Sequence, residues 1–221
     1  MNLYYQLIRC PVCQKQASSK LGCCQDCARD LFQPQLNASF ICLGLYGGNL
    51  EKAIKALKFR HTTRLAGLFA SEMARAVDQQ GWKIDLVCAV PLHWTRLLQR
   101  GYNQSGLIAK ALAQNLTCPY EQVLSRSKRT KQQAKLAKLE RQNNVKNAFK
   151  AAPLKHQQVL LVDDVVTSGA TIQTCAEALL KAGARSVKLI AIAKTPGRHS
   201  KTYLNVIRTP TKIPSRAPTT T

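Results

Sequence analysis

The run Val159-Leu160-Leu161-Val162-Asp163-Asp164-Val165-Val166-Thr167-Ser168-Gly169-Ala170-Thr171 carries the densest chemistry in the chain. Its apolar start reads as a buried strand, and ligands of open α/β sheets bind beyond the carboxyl ends of such strands. Asp163 and Asp164 at that end can accept hydrogen bonds from adjacent sugar hydroxyls. Gly169 lets the backbone turn its N–H groups inward, and Thr167, Ser168 and Thr171 offer hydroxyls to the same anion. A helix starting near Thr171, just after Ala170, adds its positive dipole end. Carboxylates for ribose beside donors for phosphate describe a ribose-5-phosphate site. A Walker B strand also ends in acids, but it requires a G-x-x-x-x-G-K-[ST] loop, and no Gly-Lys pair occurs in the chain. A response-regulator receiver needs a phosphoacceptor acid downstream, where only Glu177 remains, too close and on the helix. An N-capped helix after a buried strand would account for two acids near a dipole. It would not account for the Thr-Ser-Gly-Ala-Thr run that follows them.

The second constellation is Cys10-x-x-Cys13 and Cys24-x-x-Cys27, ten residues apart. Each pair makes a knuckle whose thiolates point one way, and two knuckles complete a tetrahedral Zn2+ shell. Four protein ligands leave no open position, so the metal is expected to be structural, supplying folding energy to a short unit. Cys23 competes with Cys24 for the fourth place but breaks the knuckle spacing. Cys42, Cys88, Cys118 and Cys175 stand among apolar neighbours and read as small core residues.

Around these sites the chain divides into three expected units: a cysteine-rich segment 1–36, an α/β domain 37–196, and a basic, disordered tail 197–221. Residues 43–80 read as helical, with Leu50, Ile54 and Leu57, then Leu65, Leu68, Phe69, Met73 and Ala76, at helical spacing. Leu86 to Val90 reads as a buried strand stopped by Pro91, and a helix follows from about Gln104. The basic stretch 125–147 is expected to be a long loop, with room for a short helix. The strand 159–162, the turn 163–170, the helix 171–182 and a strand 187–193 form a βαβ unit, so a parallel sheet covered by helices is expected.

Thirty-three Lys and Arg against eleven acids give a formal net charge of +22, and no acid follows Glu177. Such a surplus favours a polyanionic partner. No apolar run reaches the roughly 18–20 residues of a membrane span, and the N-terminus lacks a signal-peptide pattern, so a cytoplasmic protein is expected. Aromatic residues make up 6% of the chain, and none is expected beside the phosphate cradle.

Val162 to Thr171 resembles the binding motif of type I phosphoribosyltransferases. The rest of the chain is similar to the ComF/GntX family of competence-associated proteins. That likeness rests on Cys10-Pro-Val-Cys13, Cys24-Gln-Asp-Cys27, Leu57-Lys58-Phe59 and Val90-Pro91-Leu92-His93 through Arg96. It continues in Arg100-Gly101-Tyr102-Asn103-Gln104, Arg126 to Gln133, and Arg141 to Val145, so it covers residues 10 to about 196. The resemblance implies a type I phosphoribosyltransferase-like parallel sheet flanked by helices, with a small zinc-ribbon-like module in front. It also implies a pyrophosphate loop at Pro91 to Arg96, where His93, Arg96 and Arg100 suit a pyrophosphate; an ordinary strand-to-helix turn with surface arginines is the competing reading. The stretch 126–135 stands where the family has a mobile lid, so Arg126, Lys128, Arg129 and Lys131 would close over phosphates or hold a nucleic acid backbone. Mg2+ with phosphoribosyl pyrophosphate is implied as well. So is a role in DNA uptake, with single-stranded DNA and a helicase or recombination mediator as partners. An active transferase in nucleotide salvage is the alternative.

Overall fold

The computed structural model describes residues 9–17, 23–126 and 148–196. A five-stranded sheet has the order β1-β2-β7-β6-β3, built from β1 (Gln35–Leu36), β2 (Phe40–Leu45), β3 (Leu86–Ala89), β6 (Gln158–Val166) and β7 (Ser186–Lys194). Only β1 runs antiparallel to its neighbour; β2, β7, β6 and β3 are mutually parallel. The expected parallel α/β architecture is therefore present. Buried on both faces, β6 alternates its side chains between two cores. Leu160 and Val162 face α2 (Gly48–Phe59), α3 (Leu65–Gln79) and α5 (Gln104–Asn115), where Ile54, Leu57, Phe69, Met73, Ile108 and Leu112 are fully buried. Val159 and Leu161 face α6 (Ala170–Lys181), with Ile172, Cys175 and Leu179.

Two expectations about elements need correction. Residues 43–45 are not helical: they end β2, which pairs in register with β7 from Phe40↔Leu189 to Leu45↔Lys194. A short apolar run such as Phe40-Ile41-Cys42-Leu43 has no period that separates strand from helix, and pairing with the distant β7 decides it. The expected loop at 125–147 is in part a strand. Leu124–Arg126 forms β4, which pairs antiparallel with β5 (Phe149–Ala151) as a small second sheet; the rest of that stretch, 127–147, lies outside the described residues. A short helix, α4 (Trp94–Arg100), also stands where no helix was expected, and none of its residues is buried.

Helix α6 ends at Lys181, with Ala182 as its C-cap and Gly183 just beyond. Gly183 takes φ 104, and a Cβ there would sit 2.7 Å from the carbonyl oxygen of Leu154. The chain passes too close, in a conformation too unusual, for another residue.

The cysteine segment packs onto the main domain. Cys10, Val12, Cys23, Cys24, Cys27 and Leu31 belong to the same core as Leu43 and Phe69. The Phe32 ring meets Phe69 edge to face at 6.0 Å, and the Gln33 N–H donates to the Leu43 carbonyl at 2.8 Å. The expected boundary at residue 36 falls at the end of β1, which is paired to β2.

Candidate functional site

Asp163 and Asp164 lie inside β6, not in a turn after it, because ladder pairing with β7 continues to Val166↔Lys194. On the other side β3 pairs only as far as Ala89↔Val162. There the chain leaves the sheet through Val90 and Pro91 into the loop before α4, and a crevice opens beside the two acids. Being consecutive in a strand, the carboxylates leave on opposite faces. Asp164 takes the α2/α5 face, where it is 5% exposed. Its Oδ1 accepts from Lys58 Nζ at 2.9 Å and its Oδ2 from Gln104 Nε2. Asp163 Oδ1 accepts from Ser105 Oγ at 3.2 Å and from the Asp164 N–H at 2.8 Å. Burial, and then repulsion from Asp164, push the Asp163 carboxyl up to about 7.

After Val166 the chain turns through Thr167 and Ser168 to Gly169, which takes φ 72, and α6 begins at Ala170. No side chain caps this helix start and its first turn has no acid. Its leading N–H groups and dipole thus face the crevice as anion donors.

The opposite wall comes from α4 and the loop before it. His93 caps α4, its Nδ1 accepting from the Thr95 N–H at 3.3 Å and lying 2.7 Å from Thr95 Oγ1. Arg96 and Arg100, four apart, share a helix face. Arg100 donates to Gln104 Oε1 at 3.0 Å and lies 4.8 Å over the Phe59 ring. Its buried Nε has no partner among the described residues, a donor that a bound anion would satisfy. Burial, and then the neighbouring charge of Arg96, hold the Arg126 guanidinium below its ordinary value. Cations are gathered here ahead of any anion.

Together these walls enclose a cleft of about 490 Å3. Of the expected phosphate-cradle residues, Asp163, Asp164, Thr167, Ser168, Gly169 and Thr171 line it, while Ala170 starts the helix behind them. Pro91, His93, Arg96, Arg100 and Arg126 line it too. The structure thus brings two stretches far apart in the chain to one cleft. Arg129 and Lys131 lie outside the described residues.

Among the lining residues that sequence reasoning did not name as site residues are Tyr46, Lys58 and Gln104. Tyr46 corrects the expectation that no aromatic side chain stands beside the cradle; it follows β2 and reaches the cleft because β2 is two strands from β6. Lys58 sits on the last turn of an amphipathic helix, where a lysine ordinarily means only a favourable dipole. Gln104 and Ser105 follow the Asn103 cap of α5 and are buried, at 4% and 2% exposure. Two polar residues at the front of an apolar helix signal no more than a cap until the strand beneath them is known.

The four cysteines also converge. The Sγ atoms of Cys10, Cys13, Cys24 and Cys27 all lie within 4.8 Å of one another, and Cys13 and Cys24 Sγ are 3.5 Å apart. A tetrahedral Zn–S shell has edges of about 3.8 Å. Cys24 sits at the start of α1 (Gln25–Asp30) and accepts the Cys27 N–H at 3.4 Å, a knuckle turn. Against desolvation, which raises it, backbone N–H groups of Cys24, Cys13 and Val12 bring the Cys10 thiol down to about 6. Burial and the neighbouring sulfurs push Cys27 up. Sulfur charge crowded in one place is what a divalent cation relieves, so the cluster could hold a metal ion. Cys23 is fully buried outside this set, its thiol pushed up to about 11 by burial and by its cysteine neighbours.

Among the described residues no helix is long and apolar enough to cross a membrane.

The phosphoribosyl transferase domain family matches residues 103–216. DNA utilization protein YhgH of Escherichia coli K12 is 31% identical over 84% of each chain. Competence protein F of Haemophilus influenzae is 30% identical over 84% of this chain and 90% of its own length. Among solved structures, adenine phosphoribosyltransferase from Thermoanaerobacter pseudethanolicus superposes with a TM-score of 0.40 at 14% identity, over 76% of this chain and 97% of that one.

Proposed function

This chain belongs to the phosphoribosyl transferase domain family, in its competence-associated ComF branch, and from that premise we propose that its cleft binds phosphoribosyl pyrophosphate or a ribose-5-phosphate nucleotide in the service of DNA uptake or utilization. The observation that carries the reading is the meeting of two walls. The uncapped start of α6 with Thr167, Ser168 and Thr171 faces Arg96, Arg100 and Arg126 across one cleft, with Asp163 and Asp164 on its floor. Phosphate suits the first wall, a pyrophosphate suits the arginines, and ribose hydroxyls suit the carboxylates. Mg2+ would be held by the ligand's pyrophosphate oxygens, with Asp163, which lines the cleft and pairs with no cation among the described residues, available to supply a protein oxygen. When bound it would neutralise charge that the arginines alone leave over. We assign Zn2+ to Cys10, Cys13, Cys24 and Cys27 as a structural ion, which would join the N-terminal segment to the core it packs on. The names of the relatives, and the net charge of +22, support single-stranded DNA as a partner and support action beside DNA-handling proteins.

Isothermal titration calorimetry with phosphoribosyl pyrophosphate, Mg2+ and a short single strand, each added separately, tests this reading. Saturable binding of the first with Mg2+ is expected, and no heat from it at millimolar concentration would end the assignment. One observation favours a second reading. Tyr46 lines the cleft and offers an aromatic face to a base, as a transferase requires when the anomeric carbon forms its bond to a base nitrogen and pyrophosphate leaves. Pyrophosphate release in the presence of bases distinguishes turnover from binding alone.

A further inference from the structure

Lys58 closes α2 and reaches across to β6, where its Nζ donates to Asp164 Oδ1 at 2.9 Å; its side chain is 18% exposed and that of Asp164 7%. The pair lines the cleft. Two features make it a pair built to part. An ammonium has three donors, and Asp164 is its one hydrogen-bond acceptor among the described residues. Asp164 is also held on its other oxygen by Gln104, so losing Lys58 would not strip it of every partner. As the structure stands, each Asp164 oxygen already accepts a hydrogen bond and the residue is 5% exposed, so a ribose hydroxyl finds little of this carboxylate to reach. A pyrophosphate entering the cleft brings several negative charges towards two carboxylates and needs every cation within reach.

We infer that Lys58 is the exchangeable cation of this cleft, paired with Asp164 in the free protein and transferred to a phosphate oxygen when a pyrophosphate-bearing ligand enters, which frees Asp164 Oδ1 for a ribose hydroxyl. The inference rests on the reading that the cleft takes such a ligand. The flexible four-carbon stem of lysine permits the swing, where the rigid fork of an arginine would be spent on the carboxylate. Asp164 is then both the resting partner of Lys58 and a ligand contact, and one ion pair serves two states.

The test uses inorganic pyrophosphate, which has no ribose, so that Asp164 loses no hydroxyl contact on substitution. Affinities are measured by calorimetry on the full chain, with Mg2+ and again in EDTA, for wild type, Asp164→Asn and the double variant Lys58→Met/Asp164→Asn. The double variant replaces an ion pair by two neutral groups, so the local net charge is unchanged. A lysine that touches the ligand predicts at least tenfold weaker binding by the double variant than by either wild type or Asp164→Asn. Equal affinity of the double variant and Asp164→Asn would overturn the inference, because Lys58 would then never meet the phosphate. Wild type that binds neither pyrophosphate nor phosphoribosyl pyrophosphate would remove the underlying reading instead. Circular dichroism checks the fold of each variant. If the double variant does not fold, Lys58→Gln and Lys58→Arg give the same decision: tenfold loss in both supports transfer, since an arginine held on the carboxylate cannot swing, and affinities equal to wild type refute it.

Discussion

The backbone N–H of Asp164 donates to the carboxylate of Asp163 at 2.8 Å, so the two acids are coupled through the peptide that joins them while their side chains take opposite faces of β6. Asp164 has Lys58 and Gln104; Asp163 has Ser105 and that one N–H. Burial, and then repulsion from Asp164, make the Asp163 carboxyl resist ionisation.

Stability should therefore fall as pH rises. The Asp163 carboxyl moves from an ordinary 3.8 to about 7 in the folded chain, so the native state holds a proton that the unfolded state has lost across that window. The stabilisation is fully present below about pH 4 and is lost as pH rises through about 7. Asp163→Asn should flatten the dependence and melt above wild type at pH 8, by roughly 1 kcal/mol or more. Differential scanning fluorimetry from pH 4 to 8 checks this, and a variant less stable than wild type at pH 8 would refute it.

Substituting Asp164 should destabilise the fold instead. Removing one member of a largely buried ion pair leaves the other uncompensated, so Asp164→Ala should cost about 2–4 kcal/mol, discounted slightly because Lys58 keeps some contact with water. Urea denaturation at pH 7 measures it. A loss below about 0.5 kcal/mol would mean that the pair is no stronger than a surface one.

Both carboxylates should matter to ligand. The Asp163→Asn/Asp164→Asn variant should bind phosphoribosyl pyrophosphate more weakly by at least tenfold, since amides accept fewer hydrogen bonds from ribose hydroxyls. Unchanged affinity would sever the acids from the ribose.

Metal loss should reach the sheet. Purified, reduced protein should carry one zinc per chain; Cys13→Ser should lose it, and Cys23→Ala should keep it. Because Cys10, Cys27 and Leu31 share a core with Leu43 and Phe69, the metal-free variant should melt lower as a whole and not merely fray at its start. Elemental analysis with thermal melting decides. Zinc that survives Cys13→Ser and leaves with Cys23→Ala would reassign the ligands.

Binding of a single strand should be steeply salt-dependent. Each phosphate contact gives a log–log slope of roughly −0.7, so four contacts would give about −3. Arg96→Ala with Arg126→Ala should flatten that slope if the strand runs along the cleft, and phosphoribosyl pyrophosphate should then compete with DNA. A salt-independent interaction would leave the charge without a nucleic acid role.

Some features of this protein were legible because their chemistry is local. The phosphate cradle is one contiguous run from Val159 to Thr171, and the cysteine knuckles are fixed by spacing two residues wide. Strand and helix periods around them needed only neighbours to be read. Even there the reading erred where two structures fit one pattern. Val165 and Val166 follow the acids as well in a turn as in a strand, and only the β7 ladder keeps them extended.

The tertiary structure decided what stands opposite the cradle. Lys58 meets Asp164 across 106 residues of chain and Gln104 meets it across 60. No periodicity or spacing carries information over such separations, since such contacts follow from strand order and helix docking. The sheet order β2-β7-β6-β3 brings the end of α2, the start of α5 and Tyr46 to the carboxyl end of β6. Sequence alone determined that an acidic pair is followed, after Val165 and Val166, by a Thr-Ser-Gly-Ala-Thr run and that four cysteines stand in two knuckles. Packing determined that a lysine already occupies one of the acids, because the cost of burying an unpaired carboxylate is settled only where the fold is dry.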